Sequence, residues 1–170
     1  MPTKSREKIP ISTQVEIFFR DDWMCHYCGL PTVFAPALKY MQQDVVTRGL
    51  GYTPAYYDFR YAHIAAPLLD ELAAVIDHKQ AFSAGGTNET TNLVTACNNC
   101  NMRKNNRSND EFENRDCARR AKKRKRKAKG WDGFVSFFVL HGRANPNSLT
   151  AQEKEWFVAL ENYLREQAHP

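Results

Sequence analysis

Four cysteines stand as two CxxC pairs, Cys25 with Cys28 and Cys97 with Cys100. A two-residue gap lets one turn aim both sulfurs at a single point, and two such pairs supply the four thiolates of a tetrahedral zinc site, about 2.3 Å from the metal. Four protein ligands leave no position for a substrate. Zinc held there is therefore structural, and its binding becomes folding free energy. The alternative use of the pairs is two disulfides or two redox motifs. Beside the second pair stand Asp77, His78, Asn92 and Asn101. Histidine, with a pKa of about 6.5, suits a general base at neutral pH. Carboxylate and amide oxygens suit a hard cation such as Mg²⁺, which needs one or two protein ligands because water and phosphate complete its shell. A base beside such a cation is what phosphodiester hydrolysis requires. Asp77 and His78 are adjacent, however, and on an extended strand they point to opposite sides. A bend, or an element crossing behind, must bring them together.

Several elements can be read around these residues. In "ISTQVEIFFRDDW", Thr13 and Glu16 form a capping-box pattern and Val15, Phe18 and Phe19 follow at helical spacing, predicting a short helix that ends near Asp21. "CHYCG" is a tight turn, with Gly29 at a position that favours glycine. "TVFAPALKYMQQDVVTRG" reads as helical with a break at Pro36, and "PLLDELAAV" as another helical turn or two. Tyr56, Tyr57, Phe59 and Tyr61 are expected to pack this region onto the body, with base stacking as the alternative. "LVT" at 93–95 suits a strand, and the segment from Asn98 to Arg115 can run as one helix. "FVSFFVL" is a buried helix or strand and "RANPNS" a turn. Thr150 and Glu153 form a second capping box, opening a helix whose face of Trp156, Phe157, Leu160, Tyr163 and Leu164 closes the core.

The order Asp77-His78, Gly85-Gly86, Asn92-Leu93, Cys97 to Asn101 and Lys104, preceded by "RDDWMCHYCG", resembles the HNH endonuclease family in its four-cysteine zinc subtype. The likeness covers roughly 45 of 170 residues. It implies an α+β fold: a ββα-metal core with a structural four-cysteine zinc site, surrounded by helices. It further implies that His78 is the general base, that Asp77 and Asn101 hold one divalent cation (Mg²⁺, Mn²⁺ or another), and that Asn92 fixes the loop between the strands and orients His78. Lys104 and Arg103 would face phosphate, and cleavage would leave a 5′-phosphate and a 3′-hydroxyl. Two departures concern the first strand: Ala81 stands where the family often has proline, and Lys79 and Gln80 replace an apolar pair. Both are expected to weaken that strand's core contacts. His26 reads as a solvent-facing loop residue, Cys117 as a small buried side chain, and His63 as lying away from the site.

Charge points to a partner. Residues 115–129 hold ten Lys or Arg against one Asp, while the whole chain carries only +5, so the remainder is net acidic. Arg107, Arg119, Arg120, Lys122, Lys123, Arg124, Lys125, Arg126 and Lys127 are expected to meet phosphates without reading sequence. DNA is the expected partner, with RNA as the alternative. The expected organisation is one domain over 1–170: a core of about 20–30 plus 74–112, an insertion at 31–73, a basic segment at 115–129 and a helical part at 131–168. No run of about 18 apolar residues exists to span a membrane. The start lacks a secretory signal, so a reducing cytoplasmic setting is expected and disulfides are disfavoured. The expected activity is metal-dependent DNA hydrolysis. The alternative is a zinc-stapled nucleic-acid-binding module without useful catalysis.

Overall fold

The computed structural model describes residues 8–49, 57–58, 63–64, 67–113 and 130–168, with the backbone alone at 57–58, 63–64, 67–68 and 113. The side chains of Tyr56, Tyr57, Phe59, Tyr61 and His63, together with Cys117 and the basic segment 115–129, lie outside the described residues. In chain order the elements are α1 (Ile11–Arg20), α2 (Ala35–Thr47), β1 (Tyr57–Asp58), β2 (His63–Ile64), α3 (Pro67–Glu71), β3 (Ala74–His78), β4 (Leu93–Cys97), α4 (Asn98–Lys104), α5 (Asn109–Glu113), α6 (Val135–Ala144) and α7 (Ala151–Ala168). Helices thus surround two small antiparallel sheets, β1 with β2 and β3 with β4. Among the described residues no helix is long and apolar enough to cross a membrane.

The β3–β4 hairpin carries the chemistry-bearing residues. Its register pairs Asp77 with Val94 and His78 with Leu93. All five residues of β4 are buried, so this strand is the hairpin's inner member. It passes without a loop into α4, and the Asn98 amide donates to the Ala73 carbonyl at 2.9 Å. The end of α1 locks the other side of β4. Arg20 donates to the Thr90 and Leu93 carbonyls, each at 2.8 Å, and the Asp21 carboxylate accepts the Thr95 amide at 2.8 Å.

Apolar packing falls into separate clusters. The largest joins α1, α2, α6 and α7 through Val15, Phe18, Trp23, Phe34, Tyr40, Phe138 and Leu160. A second gathers Tyr27, Val94, Ala96 and Phe112 around the four cysteines. Trp156, Phe157, Tyr163 and Leu164 pack against the first cluster as expected of a closing helix. The second capping box forms: the Thr150 amide donates to Glu153 at 2.7 Å, and the Glu153 amide to the Thr150 hydroxyl at 3.3 Å.

Three element readings are corrected. α1 starts at Ile11, after Pro10, so Thr13 lies inside the helix and caps nothing. Pro36 sits in the first turn of α2 and opens that helix, because its missing N–H is one the first turn leaves unbonded anyway. The segment after Cys97 is two helices, divided where Asn105 takes a left-handed φ of 53°.

Candidate active site and metal centre

The four cysteines come together. Cys25 and Cys28 arrive on the turn after α1, while Cys97 ends β4 and Cys100 lies in α4. Their sulfurs all lie within 4.8 Å of one another, and those of Cys28 and Cys97 are 3.8 Å apart. Tetrahedral bonds of about 2.3 Å separate sulfurs by about 3.8 Å, the Cys28–Cys97 spacing, so the cluster is compatible with a zinc ion. The four are unbridged. Hydrogen bonding from Cys100 holds the Cys25 and Cys28 thiols below the ordinary range, and contact with Cys25 pushes Cys100 above it. An entering cation takes the place of the protons these sulfurs share. His26 is exposed, as expected, with its amide donating to the Thr95 carbonyl at 2.8 Å.

Asp77, His78 and Asn101 line a single cleft of about 490 Å³, whose walls include Phe82 and Met102. β3 ends at His78 and α4 passes the same strand end, which resolves the adjacency of Asp77 and His78. Both are nearly buried, Asp77 at 8% and His78 at 3% exposure. Oδ2 of Asp77 accepts from the Tyr27 hydroxyl at 2.6 Å and pairs with the Lys104 ammonium at 3.1 Å. Oδ1 takes no hydrogen bond among the described residues. Nε2 of His78 lies 2.8 Å from Oδ1 of Asn88.

Lys104 is not on the surface, where phosphate contact was expected. It is 0% exposed, and its ammonium donates to the His78 carbonyl at 2.6 Å while pairing with Asp77. Arg107 also turns inward, donating to the Lys104 carbonyl at 3.2 Å and to the Arg103 carbonyl, with its guanidinium 5.6 Å from the Phe112 ring. Arg103 is exposed.

Asn92 shapes the loop. Its carbonyl oxygen accepts the Gln80 amide at 2.9 Å, and its side-chain nitrogen donates to the carbonyls of Thr87 at 2.8 Å and Gln80 at 3.2 Å. The His78 ring is bonded by Asn88 from the loop Asn92 holds, so any orienting by Asn92 is indirect. Lys79 and Gln80 fall beyond the end of β3 and bond the Thr91 and Ala84 carbonyls, so their polarity costs the strand no core contact.

Tyr27 and Asn88 are the site residues that sequence reasoning missed. Their signals were a tyrosine between the two cysteines of the first CxxC pair and an asparagine in a loop rich in polar residues, neither specific alone. Compared with known families, residues 66–107 match the model described as HNH endonuclease. The chain carries an HNH domain. The match takes in β3, β4 and α4, and with them every cleft residue named above except Tyr27. No curated protein and no solved structure gives a match. An HNH domain points to nuclease or nucleic-acid-binding function, and HNH nucleases use divalent metals.

Proposed function

We propose that the protein is a metal-dependent HNH endonuclease that hydrolyses DNA phosphodiester bonds. The observation that carries this reading is one cleft lined by Asp77, His78 and Asn101 within the HNH segment. The Asn88 amide oxygen accepts from His78 Nε2, which leaves Nδ1 as the nitrogen that takes a proton from water. Asp77, through Oδ1, and Asn101 are the residues that would hold the divalent ion; oxygen donors of this kind suit Mg²⁺ or Mn²⁺. Bound there, the ion supplies neutralisation of charge on the scissile phosphate and the leaving oxygen. Lys104 fixes the His78 carbonyl and so the end of β3 that presents the base. Arg103, exposed on α4, is the cation assigned to the phosphate backbone, with the basic segment 115–129 as a further contact read from sequence alone. The four-cysteine cluster takes structural zinc.

His78→Ala tests the assignment on supercoiled plasmid with Mg²⁺ or Mn²⁺. Loss of a general base should slow nicking by about 10²–10⁴-fold, and an unchanged rate would sink the assignment. A second reading, a nucleic-acid-binding module without useful catalysis, is favoured by one observation: the Lys104 ammonium already neutralises Asp77, the carboxylate of the cleft. Tight DNA binding without nicking across several divalent ions would establish it.

A further inference from the structure

We propose that Tyr27 is a positioning residue for the cleft, holding the Asp77 carboxylate from inside the turn that carries two zinc ligands; this rests on the reading of Asp77 as a ligand of the divalent ion. Tyr27 lies between Cys25 and Cys28 and is 3% exposed. Its hydroxyl is 2.6 Å from Asp77 Oδ2 and 3.0 Å from Asn109 Oδ1. A phenol carries one proton, and the shorter contact to the ionised acceptor claims it. The hydroxyl is placed by a rigid support. The Cys25 amide donates to the Leu30 carbonyl, the Gly29 amide to the Cys25 carbonyl and the His26 amide to the Thr95 carbonyl, each at 2.8 Å. The ring meets Phe112 edge-on, with centroids 5.2 Å apart.

Tyr27 and Lys104 both take Oδ2, which reserves Oδ1 for a cation. They differ in charge. Lys104 brings a positive charge that opposes a second cation, whereas the neutral phenol orients the carboxylate without that penalty. Beside the chain link from Cys100 to Asn101 in α4, the phenol's hydrogen bond joins the turn of Cys25 and Cys28 to the cleft. Zinc in the cluster sets the turn, the turn sets the phenol, and the phenol sets Asp77. Contacts of this kind behind a metal ligand are typically worth about 10–100-fold in metal affinity.

Tyr27→Phe removes the hydroxyl and leaves the ring on Phe112. In an electron paramagnetic resonance titration of the zinc-loaded full chain, Tyr27→Phe is expected to bind Mn²⁺ roughly tenfold more weakly than wild type, at equal zinc content. The Mn²⁺ concentration for half-maximal plasmid nicking should rise in step. Equal Mn²⁺ affinity in the two proteins overturns the proposal. Wild-type protein that binds no Mn²⁺ overturns the reading of Asp77 and the proposal with it. Should the variant lose zinc or fail to fold, wild-type protein labelled uniformly with ¹⁵N and with ¹³C at tyrosine Cζ carries the test. Mg²⁺ is expected to shift the Tyr27 resonance; a resonance that stays still while those of Asn101 and His78 move overturns the proposal.

Discussion

Lys104 shows how burial reassigns a residue whose type alone suggests phosphate contact. A lysine ammonium is rarely buried unless paired, and here Asp77 and the His78 carbonyl provide the pairing. Lys104→Met should therefore lower stability by about 3 kcal/mol, because it leaves a nearly buried carboxylate without its counter-charge. Chemical denaturation measures the difference. Arg103→Ala should instead leave stability unchanged and reduce the salt dependence of DNA binding by about one phosphate contact. Titrating DNA affinity against salt for both variants separates the roles, and an Arg103→Ala slope equal to wild type would remove Arg103 from the interface. The difference between these neighbouring cations was not legible in "MRK", since sequence gives a residue's type but not the face of α4 from which it projects.

At the scale of elements, the β3–β4 hairpin depends on how its loop closes. Gly86 is buried, and a Cβ there would overlap the Gln80 carbonyl. Gly86→Ala should displace the loop that carries Asn88, lowering both stability and any nicking rate, while a change at Gly49, where a Cβ meets nothing within 4 Å, touches no neighbour. Melting temperature and cleavage rate of Gly86→Ala check this. The capping box of α7 has a pH signature. Burial pushes the Glu153 carboxyl up, but hydrogen bonds from Lys39, Tyr40 and Thr150 together outweigh it and hold the group below its ordinary value of 4.5. A carboxyl depressed in the folded state stabilises above the unfolded value and loses that contribution as pH falls through the folded one. Wild type should thus lose more melting temperature than Glu153→Gln as pH drops below about 4.5. The same box was legible because Thr150 and Glu153 directly precede an apolar face. Its counterpart at Thr13 and Glu16 has the same residue types, but Pro10 starts α1 earlier and Thr13 falls inside.

Across the whole molecule, the cysteine cluster ties the turn after α1 to the end of the hairpin, and Arg20 and Asp21 reinforce the same junction. Cys25→Ala or Cys97→Ala should therefore lose zinc and unfold the Tyr27–Phe112 cluster, seen as a large fall in melting temperature. A folded, zinc-free and active variant would contradict the structural role of these sulfurs. The four-sulfur set was legible from its two CxxC spacings, and the ββα core from the resemblance carried by Asp77-His78, Asn92-Leu93 and Cys97 to Asn101. Tyr27 and Asn88 were not, because their partners are set by tertiary contacts that link positions 27 with 77 and 78 with 88. Nor did spacing reveal that Lys79 and Gln80 serve a loop rather than a strand. Whether the cleft cuts DNA is decided by incubating the zinc-loaded protein with supercoiled plasmid and Mg²⁺ or Mn²⁺. Relaxed or linear product that EDTA abolishes is expected; plasmid that is bound but stays supercoiled with every divalent ion would contradict a nuclease role.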